Sequence, residues 1–312
     1  MSFAPEALPG SGEPARLADE IDRWISSAPM SALLEAFGRP PLRAGSVAAR
    51  LDELVRFGLR RWNFRAGRER AETPGETFDP PLDALIRAAT GALGLAGRQL
   101  PAGRAFDHVL VLGGGVRTMV ARSRHAATIL DSGVTTGSIA GLGSTRELAG
   151  WQDTAREFGL GDCPTEGDAV DEALRRVFRL GGPAEFSAGR TGLDQQWWLR
   201  SYRDRSPVVH VLAAPPTKPP RRADTGDSMI GWAELVERSP RGARVLVVTS
   251  DLYVPFQHCA AIRLLGMPHG CVVETVGFDT SAGDFLPPTT AAQLLQETLA
   301  AVRTMHLLHS AL

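Results

Sequence analysis

The stretch HVLVLGGGVRT, residues 108–118, decides the fold class of this chain. Its four consecutive apolar residues precede three glycines, and a helix-like pattern follows from about Val116 to Leu130. A short, continuous apolar run is typical of a strand that is buried on both faces of a parallel sheet. The order of strand, glycine turn and helix therefore predicts the first unit of an α/β fold.

Four more apolar runs follow along the chain, and helical periodicity separates them. They are VTTGSIAG at 134–141, VVHVLAA at 208–214, ARVLVVTS at 243–250 and CVVETVG at 271–277. Strands that alternate with helices predict a Rossmann-like, doubly wound, mainly parallel five-stranded sheet with helices on both faces.

The part of the chain before this sheet differs in composition and in the spacing of its apolar residues. Residues 1–15 are rich in Pro, Gly, Ser and Glu, which predicts a disordered tail. Apolar residues at helical spacing then predict an N-terminal α-helical region over 16–100. The α/β domain is expected over 105–312, with an insertion at about 151–202.

The composition of the chain argues against several kinds of partner and site. The 34 basic and 35 acidic residues give a formal charge of −1, which argues against a nucleic-acid partner. We expect no membrane partner either, because no run of about 18 apolar residues occurs. The three cysteines lack CxxC spacing, so a cytoplasmic location is expected. The seven histidines show no metal-binding spacing, and no metal site is expected.

A small-molecule ligand is the partner that the strand ends favour. In open parallel sheets, ligands bind outside the carboxyl ends of the strands. Gly113, Gly114 and Gly115 let the backbone approach a ligand closely, and Arg117 adds a cation at the amino end of the next helix. These residues predict an anion cradle, although the spacing is not GxGxxG; a plain tight turn is the alternative. The apolar stripe of the final helix also makes a homodimer a candidate.

Polar residues follow the other three strands as well. Ser144 and Glu147 come after the second strand, where S-x-x-E is also the pattern of a helix capping box. Candidates for binding the ligand are Gly113, Gly114, Gly115, Arg117, Ser144, Thr225, Thr249, Ser250 and Asp251. Candidates for proton transfer or for holding ligand hydroxyls are Glu147, Asp224, Asp227 and Tyr253.

The order of these segments resembles the SanA/ElyC/YdcF-like family, a domain of unknown function. The matching segments are VLVLGGG, Ala127-x-x-Leu130-x-x-Gly133, GLGSTRE, RADTGDS and Val248-Thr249-Ser250. Tyr253 and Phe256 stand where the family has His and Arg. The resemblance implies a divergent soluble member with an N-terminal helical extension, and it implies S-adenosylmethionine as a ligand.

These observations predict a cytoplasmic enzyme that binds a nucleotide-bearing or phosphorylated ligand and catalyses group transfer or condensation. S-adenosylmethionine and ATP are the candidate cofactors. One alternative is a non-catalytic sensor or accessory protein that keeps the cleft. A further alternative is an interaction protein that uses its N-terminal helices as a docking surface.

Overall fold

The computed structural model of the chain describes residues 2–10, 14–42, 44–64, 76–97, 100–148, 150–281 and 286–312. The chain divides into two compact units. The helical unit comprises Met1–Arg98, Asp251–Arg263 and Asp279–Leu312, and the sheet unit comprises Gln99–Ser250 and Leu264–Phe278.

In the residues that the structure describes, the sheet unit contains one mixed sheet of seven strands. The strands are β1 (Ala105–Leu112), β2 (Thr135–Ser144), β3 (Glu185–Arg190), β4 (Gln196–Tyr202), β5 (Val208–Ala214), β6 (Arg244–Ser250) and β7 (Val272–Phe278). Their order across the sheet is β3-β4-β5-β2-β1-β6-β7. The pairs from β5 to β7 are parallel, and β4 pairs antiparallel with both β3 and β5.

Eleven α-helices accompany the sheet in the described part of the chain. The helical unit holds α1 (Pro14–Ile25), α2 (Ala28–Ala36), α3 (Val47–Arg61), α4 (Pro80–Thr90), α9 (Val254–Ala261) and α11 (Ala291–His309). The sheet unit holds α5 (Val116–Asp131), α6 (Gln152–Glu157), α7 (Glu166–Phe178), α8 (Thr225–Gly231) and the short α10 (Met267–His269).

Helices cover both faces of the sheet, and neighbouring residues of β5 show this. A Cβ at Gly167 of α7 would lie 2.7 Å from Ala213 Cβ. A Cβ at Gly231 of α8 would lie 3.3 Å from Ala214 Cβ. Successive side chains of a strand point to opposite faces, so α7 and α8 lie on opposite sides. The mixed α/β class is therefore confirmed.

The predicted number of five strands is wrong, because the sheet has seven. The five parallel strands are those that the apolar runs indicated. The other two, β3 and β4, form a hairpin within the predicted insertion at 151–202. Most β3 side chains are exposed, so this strand carries no apolar run that would reveal it.

The segment after β2 also differs from the sequence interpretation. Ser144 is the last residue of β2 rather than a helix cap, and α6 begins only at Gln152. Between Ser144 and Gln152 the backbone forms a hydrogen bond with the start of α7. The N–H of Glu166 donates to the carbonyl oxygen of Arg146 at 2.8 Å. The S-x-x-E pattern at Ser144 and Glu147 therefore does not form a capping box.

The helical unit has its own apolar core. Leu17, Ile21 and Trp24 of α1 are buried, as their helical spacing predicts. Within the unit, α11 packs against α3, α4 and α9. Residues 1 and 11–13 of the predicted disordered tail lie outside the described residues, while Pro9 is buried and its carbonyl oxygen lies 2.7 Å from His258 Nε2.

Candidate functional site

The candidate site is the carboxyl edge of the parallel strands. Leu112 of β1 lies beside Leu142 of β2, and Ser144 of β2 lies beside Ala214 of β5. Strand β6 pairs with the other side of β1 in parallel. The loops that follow these four strands therefore start from one edge, which is where ligands bind in open parallel sheets.

The loop after β1 passes very close to its neighbours. The N–H of Gly113 donates to the carbonyl oxygen of Leu142 at 2.7 Å. A Cβ at position 113 would lie 2.6 Å from that oxygen and 2.8 Å from Oε1 of Glu166. Both distances are shorter than van der Waals contact, so only glycine fits at position 113.

A buried arginine ties this loop to the end of β6. Arg122 lies on α5, and its side chain is 2% exposed. Its guanidinium donates to the carbonyl oxygens of Leu112, at 3.0 Å, and Gly113, and to Oγ of Ser250, at 3.2 and 3.3 Å. Ser250, a predicted ligand-binding residue, thus already accepts hydrogen bonds from a fixed cation, which holds the ends of β1 and β6 in register.

A carboxyl group lies beside the same loop. Oγ of Ser144 donates to Oε2 of Glu166 at 2.5 Å. Burial raises the pKa of Glu166, although the hydrogen bond from Ser144, the nearby Arg146 and Arg122 and the N–H of Gly114 each oppose the rise. Glu166 is therefore a group that can hold a proton at the edge of the sheet.

Sequence reasoning missed Glu166 and selected Glu147 instead. The signal that would have found Glu166 is the pair Thr165 and Asp168, which forms the capping box of α7. This box fixes the start of α7 and makes Glu166 its first residue. Because α7 follows β2, its first turn lies at the carboxyl edge.

Arg117, the predicted anion clamp, already has partners. Its Nη2 lies 2.8 Å from Oε2 of Glu157, and its guanidinium carbon lies 5.1 Å from the centre of the Phe158 ring. Gly115 precedes α5 as its N-cap, and no side chain caps this helix. A Cβ at Gly115 would lie 3.8 Å from the Trp151 ring. Segment 151–158 therefore lies beside the amino end of α5.

Glu147 is exposed, and its backbone forms an isolated antiparallel bridge with Thr165. This bridge joins the loop after β2 to the amino end of α7. The two loops that flank Glu166 are therefore held together by their backbones.

Asp224 and Asp227 have a structural task in the loop after β5. They form the reciprocal capping box of α8. Asp227 accepts from the hydroxyl of Thr217 at 2.6 Å and pairs with Arg221 at 2.8 Å. Burial opposes the ionisation of Asp227, but the hydrogen bonds from Thr217 and from the N–H of Asp224, together with Arg221, lower its pKa.

The remaining predicted residues divide between the two units. Thr225 is the first residue of α8, and Thr249 is buried near the end of β6. Asp251 and Tyr253 belong to the helical unit. There Asp251 accepts from the Thr280 hydroxyl at 2.7 Å, and burial raises its pKa.

The structure thus brings some of the predicted residues together and separates others. Gly113, Gly114, Ser144 and Ser250 share contacts with Arg122 or Glu166. Asp224 and Asp227 form their own cluster around Arg221. We call the first group, with Arg122 and Glu166, the glycine-loop site.

Two features are absent from the described residues, a metal-binding cluster and a membrane-spanning helix. No group of three or more His, Cys, Asp or Glu side chains in the described ranges has the arrangement of a metal site. Within the same ranges, no helix combines the length and the apolar character that a bilayer crossing needs.

Comparisons with known proteins point to one group of relatives. Residues 9–94 match the family model described as the Rv3785 N-terminal domain. Uncharacterized protein Rv3785 of Mycobacterium tuberculosis is 28% identical over 326 aligned positions, which cover 95% of this chain and 90% of the relative. Uncharacterized protein Mb3814 of Mycobacterium bovis has the same identity and coverage. No solved structure matches this chain.

The resemblance to the SanA/ElyC/YdcF-like family is wrong. The similarity to Rv3785 extends through the N-terminal helices, which lie outside that resemblance. The segments that suggested it are apolar strands followed by glycines and hydroxyl residues, and many parallel sheets need such residues at their strand ends. Tyr253 and Phe256, which replace the family's His and Arg, agree with the correction.

Proposed function

We propose that the chain binds a phosphorylated or nucleotide-bearing small molecule at the glycine-loop site, on a Rossmann-like sheet. The observation that carries the proposal is the strand order. The five parallel strands can be renumbered 1 to 5 in the order in which they occur along the chain. Their order across the sheet is then 3-2-1-4-5, and the direction of winding reverses between β1 and β6. A crevice for ligands opens at such a reversal, outside the carboxyl ends of the strands.

The loop at this reversal suits an anion. Gly113, Gly114 and Gly115 have no side chains that would keep a ligand from the backbone. Helix α5 begins immediately afterwards and has 16 residues, with no side chain capping its first turn. Its N–H groups and its dipole favour a negative group there. Arg117, in the first turn, can exchange Glu157 for a ligand phosphate.

The reaction class that we propose is group transfer or condensation, with Glu166 as the group that gives or takes a proton. A carboxyl group with a raised pKa suits this role near neutral pH. Among candidate ligands, ATP fits an anion cradle better than S-adenosylmethionine, whose sulfonium is a cation. The support that the family resemblance gave to S-adenosylmethionine is also withdrawn.

Isothermal titration of the full chain tests the proposal, with ATP, tripolyphosphate and S-adenosylmethionine as ligands. We expect saturable binding of ATP and about tenfold weaker binding by Arg117→Ala, because a charge-assisted contact is lost. Glu157→Ala should bind ATP more tightly, since it releases Arg117 from its ion pair.

Asp153→Ala is the matched control. Asp153 is an exposed acid of the same helix as Glu157, and it pairs with Arg156 instead. Its removal should leave the affinity unchanged. Absence of saturable binding for all three ligands would contradict the proposal, as would equal effects of Glu157→Ala and Asp153→Ala.

A further inference from the structure

The sheet unit contains a second concave region. A cavity of about 620 Å³ lies among α7, the segment before it and the β3–β4 hairpin. None of its lining residues belongs to the glycine-loop site. Its volume is in the range of sites that hold small molecules, about 300–1,000 Å³. The cavity therefore has room for a ligand that the glycine-loop site does not explain.

One wall of the cavity is a fixed polar network. The hydroxyl of Tyr202 donates to Asp171 Oδ1 at 2.7 Å, and Arg200 donates to Asp171 Oδ2 at 2.9 Å. Arg200 also pairs with Asp168 at 3.1 Å and lies 4.3 Å above the Trp198 ring. Arg200 is thus held on three sides, and its charge is matched by two carboxylates.

The residues that line the cavity include more acids than bases. The lining residues include the acids Asp162, Asp168, Asp171 and Glu172 and the bases Arg175 and Arg200. Glu172 lies 3.0 Å from Arg176 and 3.9 Å from Arg175. Asp162 has no hydrogen bond or ion pair with any residue that the structure describes, and it is exposed. One carboxylate at the opening is therefore available to a ligand.

The thiol of Cys163, which also lines the cavity, responds to this negative field. Burial raises the pKa of Cys163 to about 11, and the charges of Asp168, Glu172, Asp162 and Asp171 all contribute to the rise. Four carboxylates thus act in the same direction on one point of the wall. Asp168 and Asp171 are paired with Arg200, and Glu172 is paired with Arg176, so Asp162 is the carboxylate that a cation in the cavity would contact.

The opening also offers an apolar contact. Phe186 of β3 is 62% exposed, although large aromatic side chains are usually buried, and it lines the cavity, as Pro183 does. An exposed ring in a cavity wall that also carries carboxylates can contact the hydrocarbon part of an organic cation.

We propose that this cavity binds a small organic amine, with the ammonium group at Asp162 and the hydrocarbon part against Phe186. A metal ion fits the cavity less well, because no described group of three acids, cysteines or histidines has the arrangement of a metal site. The carboxylate of Asp162, unpaired within the described part of the chain, would repel the negative group of an anionic ligand.

Titration of the full chain with cadaverine and spermidine tests this inference, and 1,5-pentanediol and glutarate serve as the neutral and anionic counterparts. We expect saturable binding of one amine per chain and none of the diol or the dicarboxylate. Asp162→Asn should weaken amine binding about fivefold, because one charged contact near the surface is lost. Phe186→Ala should weaken it by a smaller factor.

Asp194→Asn is the matched control. Asp194 lies in the turn between β3 and β4, outside the cavity lining, and pairs with Arg190. Its removal should leave amine affinity unchanged. The inference is overturned if neither amine saturates the chain at about 10 mM. It is also overturned if Asp162→Asn and Asp194→Asn weaken binding equally, or if glutarate binds as well as the amines.

Discussion

Glu166 and Asp227 both lie in the first turn of a helix that follows a strand, yet their pKa values shift in opposite directions. For Glu166, burial outweighs the hydrogen bond from Ser144 and the other favourable contacts, and its pKa rises. For Asp227, hydrogen bonds and the ion pair with Arg221 outweigh burial, and its pKa falls. Local partners, rather than position in the fold, decide which carboxyl group can carry a proton.

Glu166→Gln should therefore alter the pH dependence of stability. The folded chain holds the proton of Glu166 more tightly than the unfolded chain, in which this carboxyl group has its ordinary pKa of 4.5. As pH rises above that value, the unfolded chain loses its proton first, so wild-type stability falls until the folded pKa is passed. The glutamine side chain does not titrate, so Glu166→Gln does not lose stability in this way. The free energy of unfolding of Glu166→Gln, relative to wild type, should increase as pH rises from 4.5.

Urea unfolding of both proteins at several pH values measures this difference. Ser144→Ala is a useful companion, because it removes the hydroxyl that stabilises the charged carboxylate. Its stability should fall more steeply than that of wild type over the same interval. A Glu166→Gln difference that stays constant with pH would show that the folded chain does not hold this proton more tightly.

At the scale of single residues, the sequence predicts which types of residue lie at the edge of the sheet better than it predicts the individual residues. The close approach of the backbone at Gly113 could be predicted from the glycine run after β1, because glycine has no side chain to prevent it. The role of Gly113 in ligand binding stays a prediction. Glu147 and Glu166 could not be distinguished, since both follow β2 and both lie near a capping pattern. Burial separates them, and burial depends on the backbone bridge between Glu147 and Thr165, which no local pattern reveals.

Strand β2 and helix α7 approach each other through glycines. A Cβ at Gly143 of β2 would lie 2.7 Å from Cα of Gly167 in α7. The atoms that this Cβ would meet, Cα and N of Gly167, belong to the backbone, so no side-chain rotation can relieve the contact. This approach brings the first turn of α7, and Glu166 with it, against the end of β2.

Gly143→Ala should destabilise the chain by roughly 1–3 kcal/mol, because an added methyl group has no space between strand and helix. The midpoint of urea unfolding measures the loss. Gly181→Ala is the control, since a Cβ at Gly181 would meet no atom within 4 Å. That variant should stay within about 0.5 kcal/mol of wild type. Equal stability of both variants would argue against the tight contact.

Among the elements, the five parallel strands were predictable from their apolar runs, and the hairpin was not. Strands buried on both faces need apolar residues throughout. Strand β3 lies at the edge of the sheet and is largely exposed, so its sequence EFSAGR resembles a loop. The capping box that the S-x-x-E pattern at Ser144 and Glu147 allowed does not form for a related reason: residues after Ser144 form backbone hydrogen bonds with a distant segment instead.

The helical unit is assembled from three separate stretches of chain. Its first stretch supplies α1 to α4, and its later stretches supply α9 and α11. Leu299 of α11 packs against Gly58 of α3, and α11 also contacts α1 and α4. The N-terminal helices are thus partners of the C-terminal helix.

Deletion of residues 1–100 should therefore leave a poorly soluble protein. The buried face of α11, which includes Leu295, Leu299 and Val302, would lose the helices that cover it. Light scattering and thermal unfolding of the truncated chain measure the effect. Deletion of residues 2–5, none of which is buried, should have little effect. A monomeric, stable truncated chain would contradict the interdependence of these helices.

The same arrangement governs the order of events during synthesis. Helices α1 to α4 are synthesised before the sheet, whereas their partner α11, at Ala291–His309, is synthesised after it. The apolar surfaces of α1 to α4 that pack against α11 are covered only after α11 has been synthesised, whereas β1 to β6 are complete by residue 250. While the sheet is being synthesised, the nascent chain thus exposes apolar side chains on α1 to α4, and chaperones that recognise such side chains can bind there.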